Sequence, residues 1–321
     1  MDFLANYFGS LNPMSFLSAL PGNIAQGIIW GLMGLGVFLT FKLLNFADLS
    51  VDGSFATGGA VTAVMLINGC PVWATIIVAI LAGLAAGLVT GLLHTLLGIP
   101  DILAGILTQI ALYSINLNIM GKSNLPISYR NYTLVVSASN INMAILVGFG
   151  ICAVVIAAMY WYFGTEQGST IRSTGSNPAM SKAQGININF TKVIALALSN
   201  GLVALSGSLF AQYQGFADIN MGRGAIVIGL AAVIIGEVLG EAIFRKHMNF
   251  IIRMLFVIVG GILYYIAMGI VLWLKMPTDD TKLFTAIIVA IFLAVPYLQK
   301  KRKTSFKKVA KMNAKNAQKE G

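Results

Sequence analysis

Long apolar runs separated by short polar joints make up most of this chain. A helix that crosses a bilayer needs roughly 20 mainly apolar residues, within a range of about 17–25. The pattern predicts nine such spans: 22–41, 48–68, 73–97, 101–120, 143–163, 191–213, 223–240, 251–274 and 283–299. Lipid offers the backbone no partners, so single spans must be helical. The predicted fold class is all-α, a polytopic membrane protein.

One window breaks the rhythm. Residues 164–190 form a long polar internal loop with the signals of a short helix of its own. Asn177 supplies a capping oxygen, and Pro178 suits the first helical turn. Ala179, Met180, Ser181, Lys182 and Gln184 are helix-compatible, and Gly185 ends the run. Such a helix, held off the membrane with Met180 exposed, fits a groove on a soluble partner. The competing reading is an amphipathic loop lying on lipid.

Composition agrees with the spans. Of 321 residues, 57% are hydrophobic and only 10% charged, against about 25% charged in a soluble domain. The 34 glycines suit closely packed membrane helices, and Gly83, Gly87 and Gly91 form two overlapping GxxxG steps. Cys70 and Cys152 have neither metal-ligand spacing nor a disulfide framework. Met1-Asp2-Phe3-Leu4 lacks a basic start, so no cleaved signal peptide is expected.

The formal net charge is +10, and its placement says more than its size. Lys300, Lys301, Arg302, Lys303, Lys307, Lys308, Lys311, Lys315 and Lys319 follow the last span. There they read as an orientation signal and a contact for anionic lipid, not for nucleic acid. With that tail inside, Lys42, Arg172, Lys182, Lys192, Arg245, Lys246 and Arg253 also fall inside, 16 of the 21 basic residues. Lys122, Arg130, Lys275 and Lys282 fall outside, with Arg223 near that surface. The N-terminus is then expected outside and the C-terminus inside. Residues 1–299 form the transmembrane domain, and 300–321 a basic cytoplasmic tail expected to be disordered.

A repeat is visible without reference to charge. Gly31–Asp48 (GLMGLGVFLTFKLLNFAD) aligns with Gly201–Asp218 (GLVALSGSLFAQYQGFAD) without gaps, at an offset of 170 residues. Both copies end in Phe-Ala-Asp. The copies lie five spans apart in order, in the first and the sixth predicted spans, so they enter from opposite faces. That is an inverted-topology repeat of the kind found in transporters.

No catalytic constellation stands out. Gly121-Lys122-Ser123 imitates the end of a phosphate loop, but Asn116 occupies the position of the required first glycine. The chain is therefore expected to bind no ATP and to hold no metal or other cofactor. Acidic residues at membrane depth point to function. Asp48 and Asp52, with Ser54, flank the start of the second span, where they either cap helices or border a translocation path. Asp101 after Pro100 reads as a helix cap. Glu237 and Glu241 are expected to pair with Arg245. Gln109, Tyr113 and Asn116 share one face of the fourth span, and Ser199, Asn200, Ser206, Ser208 and Gln212 lie along the sixth. Each set either bonds neighbouring helices or lines a solute cavity. His94 and His247 read as structural.

Three stretches carry a family resemblance: Asn45–Gly53 (NFADLSVDG), Asn177–Asn187 (NPAMSKAQGIN) and Ala197–Gly240. They resemble permease subunits of prokaryotic ABC importers, in the superfamily of branched-chain amino acid and simple-sugar permeases. Within it the nearest likeness is to the tryptophan-type single-permease group. The resemblance implies a pore in the cell membrane made of two permease copies, a homodimer or a heterodimer. Cytoplasmic ATPase subunits carrying ATP-Mg would dock on Asn177–Gly185, and an extracellular substrate-binding lipoprotein would deliver an amino acid, aromatic by the nearest likeness. Sugars and nucleosides are the alternative cargo. An ion-coupled secondary transporter using Asp48, Asp52 or Glu237 is the rival function.

Overall fold

The computed structural model describes residues 13–129, 132, 134–244, 248–274, 283, 284, 286, 287, 289–291 and 294. The basic tail, the first twelve residues, Arg130, Arg245, Lys246, His247, Lys275 and Lys282 lie outside the described residues, as does most of the predicted span 283–299. The helices that carry the fold are α1 (Pro13–Val37), α2 (Val51–Ile67), α3 (Val72–Leu96), α4 (Asp101–Met120), α5 (Ile141–Gly164), α6 (Glu166–Ser176), α7 (Pro178–Ala183), α8 (Ile188–Gln214), α9 (Ala225–Phe244) and α10 (Phe250–Trp273). Among the described residues, seven helices are long and apolar enough to cross a membrane. The predicted span 48–68 departs from that set: α2 starts at Val51 and has 17 residues.

Two helices form the centre. The most apolar stretch of α1 is 83% buried and that of α8 is 72% buried, whereas that of α5 is 22% buried. Trp30 of α1 stacks on Phe55 of α2 at 4.7 Å and meets Phe210 of α8 edge-on at 5.3 Å. These aromatic pairs tie three helices through one buried indole. The peripheral helices keep apolar side chains outward, among them Leu146, Val154 and Trp161 of α5. A surface of that kind suits lipid.

Small residues set the close approaches. A Cβ at Gly87 of α3 would collide with the Leu196 carbonyl oxygen of α8, and one at Gly83 with that of Asn200. The GxxxG run is therefore the packing face of α3. Hydroxyls bond the central helices: Ser199 Oγ donates to the Gly36 carbonyl at 2.8 Å, Ser206 Oγ to the Ile29 carbonyl at 2.6 Å, and Thr62 Oγ1 to Ser208 Oγ at 2.6 Å.

The two Phe-Ala-Asp copies fold alike locally. After α1, a π-helical turn (Phe38–Leu43) leads to Asn45, whose φ is +56°; after α8 comes Gly215 at +77°. Both occupy the left-handed region that ends helices. Asp48 Oδ1 then accepts the Ser50 N–H at 2.9 Å, and Asp218 Oδ1 accepts the Asn220 N–H at 2.7 Å. Each is a turn in which the side chain closes on the backbone two residues on. The second copy forms strand β2 (Phe216–Asp218), antiparallel to β1 (Asn124–Pro126) with Asn124 opposite Asp218.

The polar loop holds more structure than its sequence announces. It contains two helices, α6 and α7, and α6 is opened by Thr165, whose side chain accepts from Gly168 N–H. The composition Glu-Gln-Gly-Ser-Thr-Ile-Arg-Ser-Thr-Gly-Ser has low helix propensity, so α6 is fixed by packing. Ile171 and Thr174 are buried, and a Cβ at Gly175 would strike the carbonyl oxygen of Leu43.

These contacts give a paired prediction. Gly87→Ala should lower stability by about 1–3 kcal/mol through overpacking. Gly150→Ala, which meets open space in α5, should be neutral or stabilising by up to about 1 kcal/mol. Thermal melts of the two variants in detergent micelles check the difference.

Candidate functional site

The predicted site residues fall into three places. The first is a buried polar cluster where α2 meets the middle of α8. Asn200 Nδ2 donates to Asp48 Oδ2 at 2.7 Å, Ser54 Oγ donates to Asn200 Oδ1 at 2.6 Å, and Ser50 Oγ reaches the same oxygen at 3.2 Å. Ser50 Oγ also donates to Asp48 Oδ1 at 2.5 Å. All four residues are buried. Here Asp48, Ser54 and Asn200 serve helix–helix bonding, because a buried carboxylate needs several donors to offset its desolvation.

The second place is a cavity of about 310 Å³, lined by Asp52, Gly53, Gln109, Tyr113, Asn116 and Arg223 among others. Four residues singled out in the sequence, Asp52, Gln109, Tyr113 and Asn116, thus meet at one opening. Asp52 does not cap its own helix. Its Oδ2 accepts the Gly224 N–H at 2.9 Å and its Oδ1 the Ile226 N–H at 2.8 Å, so it caps α9. A Cβ at Gly222 would collide with the Asp52 carbonyl; the N-termini of α2 and α9 therefore sit side by side. α2 begins about halfway along α8, since Ser50 and Ser54 both reach Asn200. Helix starts that converge on a cavity are the geometry of many solute sites in transporters.

Arg223 joins the cavity although the sequence marks it only by sidedness. The available signal is a cation between Gly222 and Gly224, against the general bias of basic residues to the other side. Gln212 is not brought to the cavity: its Oε1 accepts the Val135 N–H at 3.1 Å. Glu237 pairs with Lys42 at 2.8 Å and Arg253 at 3.9 Å. The expected partner, Arg245, lies outside the described residues. Asp101 is the first residue of α4 and Pro100 precedes it; no side chain caps that helix.

The third place is α7. Asn177 Oδ1 accepts the Met180 N–H at 3.0 Å, Pro178 begins the helix, and Gly185 follows it at φ +81°. Met180 is 58% exposed while Ser181 is 1% exposed. Ser181 faces inward, and its hydroxyl donates to the Asn177 carbonyl at the cap of the same helix at 3.1 Å. Ala179, Lys182 and Gln184 are exposed alongside Met180.

With this arrangement in view, the sequence comparisons are decisive. Residues 22–296 match the family described as branched-chain amino acid transport system, permease component. The chain belongs to that family. It is 42% identical over 301 residues to a tyrosine transport system permease protein of Clostridioides difficile (strain R20291), covering 93% of this chain and 99% of that one. It is also 27% identical to the D-allose transport system permease protein AlsC of Escherichia coli (strain K12), over 80% of this chain and 77% of the relative. The structure of PsaBC from Streptococcus pneumoniae in complex with Fab shares the fold, with a TM-score of 0.51 at 16% identity, covering 91% of this chain and 94% of that one. This is a multi-pass protein of the prokaryotic plasma membrane, a permease of the ABC importer family. Such permease subunits are not themselves catalytic.

The buried cluster yields a stability prediction. Asp48→Ala removes one of the two acceptors of the Asn200 amide, whose other is the Leu196 carbonyl, and leaves the Ser50 N–H without its acceptor; it should cost about 1–3 kcal/mol. Asp48→Asn keeps one acceptor oxygen and should cost less. Melting of the purified permease in detergent, compared with wild type, reads both.

Proposed function

We propose that this permease forms the translocation path for an amino acid, with an aromatic side chain, imported at the expense of ATP hydrolysed by partner subunits. The tyrosine permease relative supports the cargo, since the likeness runs over nearly its whole length. Cytoplasmic ATPase subunits with ATP-Mg dock on Asn177–Gly185, and an extracellular substrate-binding protein delivers the solute. This chain binds no nucleotide itself. The observation that carries the docking role is the capped, surface-exposed α7, whose Met180 is exposed while Ser181 is buried.

The full architecture in this reading has nine spans, N-terminus outside and C-terminus inside, and pairs two copies of the chain to form the pore in anionic-lipid-containing membrane. An inverted repeat organises it. Its support is the reciprocal bonding of the copies: Ser199 to Gly36 and Ser206 to Ile29 are exchanged by the 170-residue offset, as a two-fold relation requires. An ion-coupled mechanism is disfavoured, because Asp48, Asp52 and Glu237 are already committed to internal donors or cations. A sugar cargo is the second reading, favoured by the likeness to the D-allose permease.

Met180→Asp places a charge on the exposed face of α7 without touching the core. It should abolish co-purification of the ATPase while membrane insertion and melting stay at wild-type values. Undiminished co-purification would overturn the docking role.

A further inference from the structure

The cavity beside Asp52 carries an electrostatic imbalance. Two helix N-termini, those of α2 and α9, meet at its wall, and each brings a partial positive charge. The Asp52 carboxylate is taken up by two N–H groups of the α9 start. Arg223 lines the same cavity and makes no ion pair among the described residues. Its guanidinium is exposed at the opening and free of an acidic partner there, in a form suited to bidentate capture of a carboxylate.

Asn116 adds an independent observation. It is fully buried, lines the cavity, and neither its amide nitrogen nor its oxygen has a hydrogen-bond partner. A buried amide left unpaired is costly, and a polar solute in the cavity would satisfy it. Gln109 and Tyr113 supply further polar groups on the same wall. The volume, about 310 Å³, sits at the small end of the range for small-molecule sites, about 300–1,000 Å³.

We propose that this cavity is a solute-binding subsite for an α-amino acid in transit, with Arg223 holding the carboxylate and Asn116 bonding the polar backbone end of the solute. The subsite rests on the amino-acid reading above and adds what that reading lacks, a point of chemical selection within the permease itself. A neutral sugar would leave the Arg223 charge unanswered.

The test is uptake of labelled L-tyrosine by cells expressing the complete importer, with ATPase co-purification measured for every variant. Arg223→Gln should lower uptake roughly ten- to hundredfold, the range of a charge-assisted bond, with Arg223→Lys in between. In a Cys70→Ser background, Arg223→Cys should regain uptake after reaction with a cationic aminoethyl methanethiosulfonate and not with its neutral hydroxyethyl analogue. This charge rescue is read on the assembled complex, so misfolding cannot imitate it. Uptake by Arg223→Gln within about twofold of wild type, or equal recovery with both reagents, overturns the subsite and leaves the permease reading standing. A wild-type importer that takes up D-allose and no tyrosine overturns the amino-acid reading and the carboxylate assignment together.

Discussion

One half-buried carboxylate holds two helix ends together at the mouth of the cavity. Every helix begins with N–H groups that have no partner within it, and α9 begins beside the first turn of α2. Asp52, in the first turn of α2, answers two of those groups. Without it, those two N–H groups would lose their acceptor, and the cavity between α2, α4 and the α9 start would lose one of its polar lining residues. The close approach of Gly222 to the Asp52 backbone belongs to the same constraint, because only a residue without Cβ lets the two segments touch.

The Asp48 cluster complements this joint. It fixes α2 to α8 from the other side through Asn200, Ser50 and Ser54. Interhelical bonds of this kind act where apolar burial gives little preference, since lipid is as apolar as leucine. The two aspartates thus have complementary roles. Asp48 locks α2 to the central helix, and Asp52 positions the neighbour that completes the opening. The cavity is consequently walled mainly by α2 and α4, with Ile219 and Arg223 entering from the turn before α9.

Much of this is legible in the chain. Span length and apolarity mark α1, α3, α4, α5, α8, α9 and α10, because lipid imposes length and composition on each helix separately. The cap Asn177-Pro178 is equally local. The face of Gln109, Tyr113 and Asn116 is visible as a helical period, but sequence alone leaves open whether it bonds helices or lines a space; only the position of α2 and the α9 start decides. The pairing of Glu237 with Lys42 is invisible to periodicity because nearly 200 residues separate them. The helix α6 is hidden because glycine, serine and threonine favour no helix by themselves, so its order comes from contacts with α5 and the turn after α1.

The last of these contacts has a mechanical meaning. Gly175 of α6 rests against the backbone of Leu43, a short stretch of chain before Ser50 and the start of α2. The surface arm that presents Met180 is thereby braced against the hairpin whose far limb ends at Asp52. Because Gly175 has no side chain, this contact is backbone against backbone, and it ties the position of the surface arm to the segment of main chain that leads into α2.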